Sequence, residues 1–354
     1  MDARVLEIGG RRAPFEFYPS VRANFALREG DTVPASTVLA PSVDLYCLDD
    51  RNGRALFAEV ADGVDPAGAP FFYLAQYRQA VRLLALPYET LHELATALPD
   101  PDLTMVYSTG RCGSTLLSRA LAAVPGVRSV SEPDVLNDLV MLRHWDPARE
   151  QDYRRLVRSC VRLLGRHGRR LALKPRGGGI HIADLIQREY PRAHNVFLYR
   201  HAERWMESMH ASFTGSLPGK QTATFVRYLL ATTPMLAGRP QPVSLTEGYA
   251  LTWLGVMDAY VGLRADGVPM LPVRYEDLVA APRETLVEIL GWCGLPADNV
   301  DAVLATFGTD SQEGTALSRS GRAGTPAPGP EDYAVTRAVL AEHPVVNTPD
   351  YRAG

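Results

Sequence analysis

The chain has 354 residues, which is enough for one large α/β core with an added N-terminal region. It contains 37 Lys and Arg residues and 40 Asp and Glu residues, which gives a formal net charge of -3. Because such a chain has no overall positive charge to attract a polyanion, the sequence predicts that it does not bind nucleic acid. The 4 cysteines are widely spaced, without a Cys-x-x-Cys pair, so we expect neither a disulfide framework nor a zinc site.

The sequence also predicts a cytoplasmic protein that does not interact with membranes. Charged residues are scattered through Met1–Pro14, so this stretch lacks the apolar core of a signal peptide. The longest apolar stretch, Tyr249–Leu263, is shorter than a bilayer-spanning helix and contains Asp258.

Residues 1–100 have the pattern of a small β-rich accessory region. Short apolar runs such as Ser42–Cys47 and Ala55–Val60 are separated by Gly, Asp and Pro. Two helices are predicted, over Tyr73–Leu84 and Thr90–Ala97. The break at Pro99–Pro101 is the predicted boundary with a second domain over residues 101–354.

In the second domain, apolar runs of strand length alternate with amphipathic stretches of helix length. This alternation predicts an α/β fold, a parallel β-sheet flanked by helices. The predicted strands are Leu103–Ser108, Leu171–Lys174, Asn195–Tyr199 and Pro272–Tyr275. The predicted helices are Ser114–Val124, Tyr153–His167, Ile180–Tyr190, Ala202–Phe213, Thr246–Ala265 and Pro282–Cys293.

The turn after the first of these strands has the composition of a phosphate-binding loop. Its sequence, Gly110-Arg111-Cys112-Gly113-Ser114-Thr115, leads from the strand directly into a helix. Backbone N–H groups and the helix N-terminus would face a phosphate, Ser114 and Thr115 would add hydroxyl donors, and Arg111 would add positive charge. The alternative is an ordinary strand-to-helix turn in which Ser114 is the N-cap.

This loop is not a Walker A motif. Only two residues separate Gly110 from Gly113, and no Lys precedes Ser114. A nucleotide-dependent kinase-like enzyme is therefore disfavoured, although it stays as an alternative.

The loop resembles the 5′-phosphosulfate loop of the PAPS-dependent sulfotransferase superfamily, and the resemblance extends from Leu103 to about Pro296. Members of this superfamily transfer a sulfuryl group from 3′-phosphoadenosine 5′-phosphosulfate (PAPS) to an acceptor hydroxyl and release PAP. The resemblance implies a P-loop sulfotransferase-like fold, PAPS as donor, PAP as product and no required metal. Cys112 departs from the family pattern, in which Ser is more usual.

Two further residues resemble the family's site for the 3′-phosphate of the nucleotide. Arg200 ends the predicted strand Asn195–Tyr199, and Ser208 lies on the following helix. In an open α/β sheet, ligands bind beyond the carboxyl ends of strands, where an Arg can hold a phosphate through two hydrogen bonds. The alternative is a surface Arg followed by an ordinary helical Ser.

Lys174 and Glu132 resemble the family's catalytic pair. Lys174 closes the strand Leu171–Lys174 and would stabilise the negative charge that develops on the oxygen between sulfur and phosphorus. Glu132 occupies the position of the general base in branches that sulfate protein tyrosines or carbohydrates. The alternatives are a solvated Lys at a strand end and a turn that leads into the next helix.

Other parts of the site are implied more weakly. Tyr275, in a Tyr-Glu-Asp-Leu segment, corresponds to a residue near the nucleotide, and the Gly- and Pro-rich segment 308–330 corresponds to a loop that covers it. Ser311, Ser318 and Arg319 are candidate contacts there, although the family's Arg-Lys-Gly signature is absent.

The acceptor would be a small molecule, a carbohydrate or a peptide. The N-terminal region would shape the acceptor pocket or mediate self-association into a homo-oligomer. A catalytically silent nucleotide-binding protein is the remaining alternative.

Overall fold

A computed structural model describes residues 2–12, 18–213, 233, 235, 244–318 and 327–354. The chain divides into two compact units of three segments each. Unit 1 comprises Met1–Thr104, Pro125–Pro175 and Leu185–Ala193, and unit 2 comprises Met105–Val124, Arg176–Asp184 and His194–Gly354.

The first sheet belongs to unit 1 and is antiparallel, with the strand order β2-β1-β5-β4-β3. Its strands are β1 (Asp2–Arg11), β2 (Phe25–Pro34), β3 (Val43–Asp49), β4 (Arg54–Val60) and β5 (Ala80–Pro87), with helices α1 (Phe72–Gln79) and α2 (Tyr88–Thr96) before and after β5. Buried side chains such as Leu6, Phe25 and Leu56 form a hydrophobic core on this sheet. This sheet is the small β-rich N-terminal region that the sequence predicts.

The predicted helix over Tyr73–Leu84 is wrong in its second half. Helix α1 ends at Gln79, and the next residues form β5, the middle strand of the sheet, which pairs with both β1 and β4. Leu83 and Leu84 point to opposite faces, and both are fully buried. Burial on both faces removes the polar alternation by which a strand is distinguished from a helix.

The second sheet is parallel and has five strands in the order β10-β9-β6-β8-β7. Its strands are β6 (Asp102–Ser108), β7 (Val127–Ser131), β8 (Arg170–Lys174), β9 (His194–Tyr199) and β10 (Leu271–Arg274). The predicted fold class, a parallel sheet flanked by helices, is confirmed. Strand β7 was not predicted, because its five residues include Arg128, Ser129 and Ser131 and carry little apolar pattern.

The remaining helices lie close to the predicted ranges where a prediction was made. They are α3 (Ser114–Ala122), α4 (Val135–Trp145), α5 (Glu150–Gly165), α6 (Ala183–Glu189), α7 (Ala202–Phe213), α8 (Leu245–Ala265), α9 (Tyr275–Ala280), α10 (Pro282–Trp292), α11 (Val300–Ala305) and α12 (Pro330–Ala341). Among the described helices, none combines the length and apolar character that a bilayer crossing needs.

The strand order reverses at β6. The two strands that follow β6 in sequence lie on one side of it, and β9 and β10 lie on the other. In open α/β sheets, ligands bind outside the carboxyl ends of the strands at such a reversal. The segments that follow β6 and β9 are therefore where a ligand site is expected.

Candidate anion-binding site

The loop after β6 has a backbone suited to holding an anion. Gly110, Arg111 and Gly113 take positive φ angles of 73°, 50° and 82°. Helix α3 begins at Ser114 with Gly113 as its N-cap, and the N–H groups of a helix's first turn have no partner within the helix. Left-handed residues just before a helix N-terminus gather N–H groups on one side, which creates positive potential there.

Cys112 anchors this loop to the protein interior. Its thiol is fully buried and donates to the carbonyl oxygen of Leu198 at 3.4 Å, and the N–H of Thr109 donates to the same oxygen at 3.0 Å. The side chain of Cys112 thus contacts β9. The departure from the family's usual Ser therefore falls on a side chain that packs inward.

Tyr275 packs directly on the loop. A Cβ atom on Gly113 would lie 2.9 Å from Cδ2 of the Tyr275 ring, so only glycine fits this approach. The guanidinium of Arg200 lies over the same ring, 4.6 Å from its centroid. Gly113, Tyr275 and Arg200 therefore form one stack within unit 2.

Arg111 and Arg200 are connected by hydrogen bonds. Nη1 of Arg200 donates to the carbonyl oxygen of Arg111 at 3.4 Å, and Nε of Arg111 donates to Oγ of Ser208 at 3.2 Å. Nη1 of Arg111 also donates to Oε1 of Gln312 at 3.0 Å. The loop, the residue that ends β9 and a serine of α7 thus come together, as the sequence predicts for the two phosphate-binding segments.

These residues line one open cleft of about 140 Å³ in unit 2. Eight predicted site residues line it: Arg111, Gly113, Ser114, Thr115, Arg200, Ser208, Tyr275 and Ser311. Its other lining residues are Leu116, Asp310 and Gln312. Two arginines and the N-terminus of α3 face the same space.

Within the described residues of the segment 308–330, Asp310–Gln312 reach the cleft. The carbonyl oxygen of Asp310 accepts from Nη1 of Arg119 at 2.9 Å, and its carboxylate accepts from the N–H of Gln312 at 3.0 Å. The sequence predicts a contact at Ser311 but gives no indication of Gln312. The length of the loop was the only available signal.

Two other contacts predicted in this segment are Ser318 and Arg319. Ser318 is buried, and its N–H donates to the carbonyl oxygen of Thr315 at 3.1 Å. It is not among the residues that line the cleft. Arg319 lies outside the described residues.

Glu132 and Lys174 form an ion pair in unit 1. Nζ of Lys174 contacts Oε1 of Glu132, and the N–H of Glu132 donates to the carbonyl oxygen of Lys174 at 2.6 Å. The side chain of Glu132 is 13% exposed and that of Lys174 is 5% exposed, so most of the pair is shielded from water. The ends of β7 and β8 are thereby joined through both backbone and side chain.

Glu132 also has an uncommon backbone conformation. Its φ angle of 58° is in the left-handed region, which non-glycine residues occupy at a cost. Such outliers cluster at functional sites, because the surrounding structure must hold them.

In the parts of the chain that the structure covers, no group of three or more His, Cys, Asp or Glu side chains is arranged to hold a metal ion.

Comparison with known proteins gives similarity at the level of solved structures. No protein-family model matches the chain, and no curated protein sequence matches it. The sulfotransferase STF1 of Mycobacterium tuberculosis H37Rv is 17% identical, with a TM-score of 0.42, 64% of this chain covered and 80% of that one.

Two other solved structures are similar at the same level. The sulfotransferase domain of the Synechococcus PCC 7002 olefin synthase is 21% identical, with a TM-score of 0.40, 68% of this chain covered and 94% of that one. Mouse sulfotransferase SULT7A1, solved in complex with PAP, is 12% identical, with a TM-score of 0.41, 72% of this chain covered and 89% of that one. Two of these three structures are sulfotransferases and one is a sulfotransferase domain.

Proposed function

We propose that the chain is a sulfotransferase that transfers a sulfuryl group from PAPS to an acceptor hydroxyl. The observation that carries this proposal is the convergence of two predicted phosphate-binding segments on one cleft. Arg111, Ser114 and Thr115 come from the loop and start of α3, and Arg200 and Ser208 come from the end of β9 and from α7. A nucleotide with a phosphate at both its 5′ and its 3′ position needs two such groups of donors.

The two groups have different roles in this proposal. The loop and Arg111 hold the 5′-phosphosulfate, since N–H groups at a helix N-terminus bind phosphate oxygens. Arg200 and Ser208 hold the 3′-phosphate. Tyr275 fixes the guanidinium of Arg200 by the cation–π contact at 4.6 Å, so less side-chain freedom is lost when the ligand binds.

The proposed reaction is an in-line displacement at sulfur. The acceptor oxygen forms a bond to sulfur while the bond from sulfur to the 5′-phosphate oxygen breaks, and PAP leaves. Glu132 takes the proton of the acceptor hydroxyl, and Lys174 stabilises the charge on the leaving oxygen.

The proposed chemistry requires only a hydroxyl group of the acceptor. A hydroxyl of a small molecule, a carbohydrate or a peptide fits the proposed chemistry, because motifs fix the donor while pocket shape selects the acceptor. We propose that the N-terminal region shapes the acceptor pocket or mediates self-association, and that the protein acts in the cytoplasm.

Calorimetric titration with PAP and with ATP, each with and without Mg²⁺, tests the proposal. We expect PAP to bind tightly without Mg²⁺ and ATP to bind more weakly, because ATP lacks the 3′-phosphate that Arg200 would hold. The Arg200→Ala variant should bind PAP at least tenfold more weakly, since about 1.5–3 kcal/mol is typical for a hydrogen bond to a charged group.

The matched control is Arg204→Ala. Arg204 is an exposed arginine on α7, shortly after Arg200 in the sequence, and its guanidinium pairs with the carboxylate of Glu207 at 3.1 Å. The variant should bind PAP as the wild type does. Tight binding of Mg²⁺ and ATP without binding of PAP would overturn the proposal in favour of the kinase-like alternative.

A further inference from the structure

Trp205 contacts the phosphate loop although no sequence motif singles it out. It lies on α7, and in the sequence it falls between Arg200, which precedes the helix, and Ser208. It is 2% exposed. Its indole Nε1 donates to two consecutive carbonyl oxygens of the loop, those of Thr109 at 2.9 Å and of Gly110 at 2.8 Å.

These hydrogen bonds determine which way two peptide groups point. In a trans peptide, the C=O and the N–H of the next residue point in opposite directions. Holding the carbonyls of Thr109 and Gly110 toward α7 therefore turns the next N–H groups to the other side. The N–H of Gly110 donates there to Oγ of Ser108 at 3.3 Å, so the consequence for anion binding concerns the direction of the Arg111 N–H. An anion interacts favourably with N–H groups and unfavourably with carbonyl oxygens, so this choice of direction decides whether the loop binds a phosphate.

The loop needs such an anchor because of its glycine. Gly110 has a φ of 73°, and glycine occupies positive and negative φ values about equally well. Reversal of one peptide would place a carbonyl oxygen where an N–H group is required. The two hydrogen bonds from Trp205 favour the orientation seen here.

Helix α7 holds the loop at two points. Trp205 and Ser208 are three residues apart and therefore lie on the same face of the helix. Trp205 contacts the loop backbone, and Oγ of Ser208 accepts from Nε of Arg111 at 3.2 Å. The face of α7 that contributes Ser208 to the cleft thus also sets the backbone of the loop.

We propose that Trp205 is a positioning residue for the 5′-phosphate half of the nucleotide site. This inference rests on the proposed function, because it assigns the loop to the 5′-phosphate. Trp205 acts through the loop backbone and contributes no atom to the reaction. Its loss is expected to weaken binding of the 5′-phosphate while the 3′-phosphate contribution stays the same.

The experiment removes the indole N–H, alone in one variant and together with part of the ring in the other. Trp205 is replaced by 3-benzothienylalanine, in which sulfur takes the place of the N–H group, and in parallel by Phe (Trp205→Phe). The matched control is Trp292→Phe, since Nε1 of Trp292 also donates to a backbone carbonyl, that of Asn195 at 3.0 Å, and Trp292 is 37% exposed. Calorimetry gives the affinities of each protein for PAP, 3′-AMP and 5′-AMP.

Two affinity ratios separate the halves of the site. The ratio of PAP to 3′-AMP measures the contribution of the 5′-phosphate, and the ratio of PAP to 5′-AMP measures that of the 3′-phosphate. In both Trp205 variants we expect the first ratio to fall roughly tenfold, the effect of losing a charged hydrogen bond, and the second to stay the same. The Trp292→Phe variant should keep both ratios.

Each other outcome has a definite meaning. If the wild type does not bind PAP, the proposed function fails whatever Trp205 does. If the wild type binds PAP and both ratios survive in the Trp205 variants, the inference is wrong. Equal loss in both ratios, or loss of folding in both variants, would show that Trp205 has a general structural role and would also overturn it.

Discussion

Glu132 and Lys174 show how two strand ends can hold a costly side-chain and backbone arrangement. The φ angle of 58° at Glu132 is sustained by the N–H of this residue, which donates to the Lys174 carbonyl, and by the ion pair between the side chains. A non-glycine residue in the left-handed region costs about 1–3 kcal/mol, so the surrounding structure must stabilise this conformation. This cost is readily explained if the carboxylate must stand at a fixed position.

Replacement of either residue tests the catalytic roles. We expect Glu132→Gln and Lys174→Met each to lower turnover by roughly a hundredfold or more, because the first removes the proposed base and the second removes the proposed cation at the leaving oxygen. Affinity for PAP should change less than turnover, because Glu132 is assigned to the acceptor and the leaving oxygen becomes one of several oxygens of the 5′-phosphate, which the loop is also proposed to hold. The measurements are PAP release from PAPS with an accepted hydroxyl substrate, and PAP titration.

The control for this pair is Asp100→Asn, which breaks the exposed ion pair with Arg162 in the same unit. It should keep full turnover. Undiminished activity in Glu132→Gln would disprove the assignment of the base.

Residues at strand and helix ends could be predicted from the sequence, and residues that act through packing could not. Arg111, Arg200 and Ser208 each follow a strand that is visible as an apolar run, so their shared edge of the sheet follows from the topology. Trp205 and Gln312 carry no such signal. Their roles depend on distances to Gly110 and Arg111, which only the folded chain sets.

At the scale of elements, the contact between the Gly110–Thr115 loop and α9 depends on the absence of a Cβ atom at Gly113. Gly113 meets Tyr275 so closely that an added Cβ would displace the ring, whereas a Cβ on Gly110 would meet no atom within 4 Å. Both glycines have positive φ angles. The two positions therefore separate the cost of backbone conformation from the cost of the contact.

We expect Gly110→Ala and Gly113→Ala to share a loss of about 1–2 kcal/mol in stability from the left-handed backbone. Gly113→Ala should weaken PAP binding more than Gly110→Ala does, because movement of Tyr275 also removes the support under Arg200. Thermal unfolding and PAP titration of both variants measure the two effects. Equal PAP affinities in the two variants would contradict the stacking argument.

The elements themselves were predictable where one face is polar and ambiguous where both faces are buried. Helix α7 matches its predicted range, Ala202–Phe213, because its buried residues recur with helical spacing. Strand β5 was taken for the end of a helix, since Leu83 and Leu84 are both buried. The parallel strands β6 and β9 are also buried on both faces, but each is a short apolar run with polar residues on both sides.

At the scale of the whole molecule, the nearly neutral chain concentrates charge in specific places. In unit 1, Asp44 accepts from Nη1 of Arg166 and from Nη2 of Arg128, both at 2.9 Å. The side chains of Asp44 and Arg166 are 7% and 3% exposed. Burial lowers the pKa of Arg166, because the charged form loses hydration.

Loss of Asp44 should therefore destabilise the protein. The Asp44→Asn variant leaves two guanidinium groups without a counter-charge, and breaking a buried pair in this way costs about 3–5 kcal/mol. The control is Asp102→Asn, which removes a surface pair with Arg169 and should change stability by about 0.5 kcal/mol or less. Urea denaturation measures both, and equal midpoints would show that the Asp44 cluster contributes nothing.

The division of each compact unit into three stretches of chain has a practical consequence for protein engineering. No single cut of the gene yields either unit intact, because the stretches of the two units alternate along the chain. A chimera with a relative would have to exchange three matched pieces at once to transplant one unit. Grafting a foreign acceptor specificity onto this scaffold is therefore better attempted through point changes than through fusion of halves.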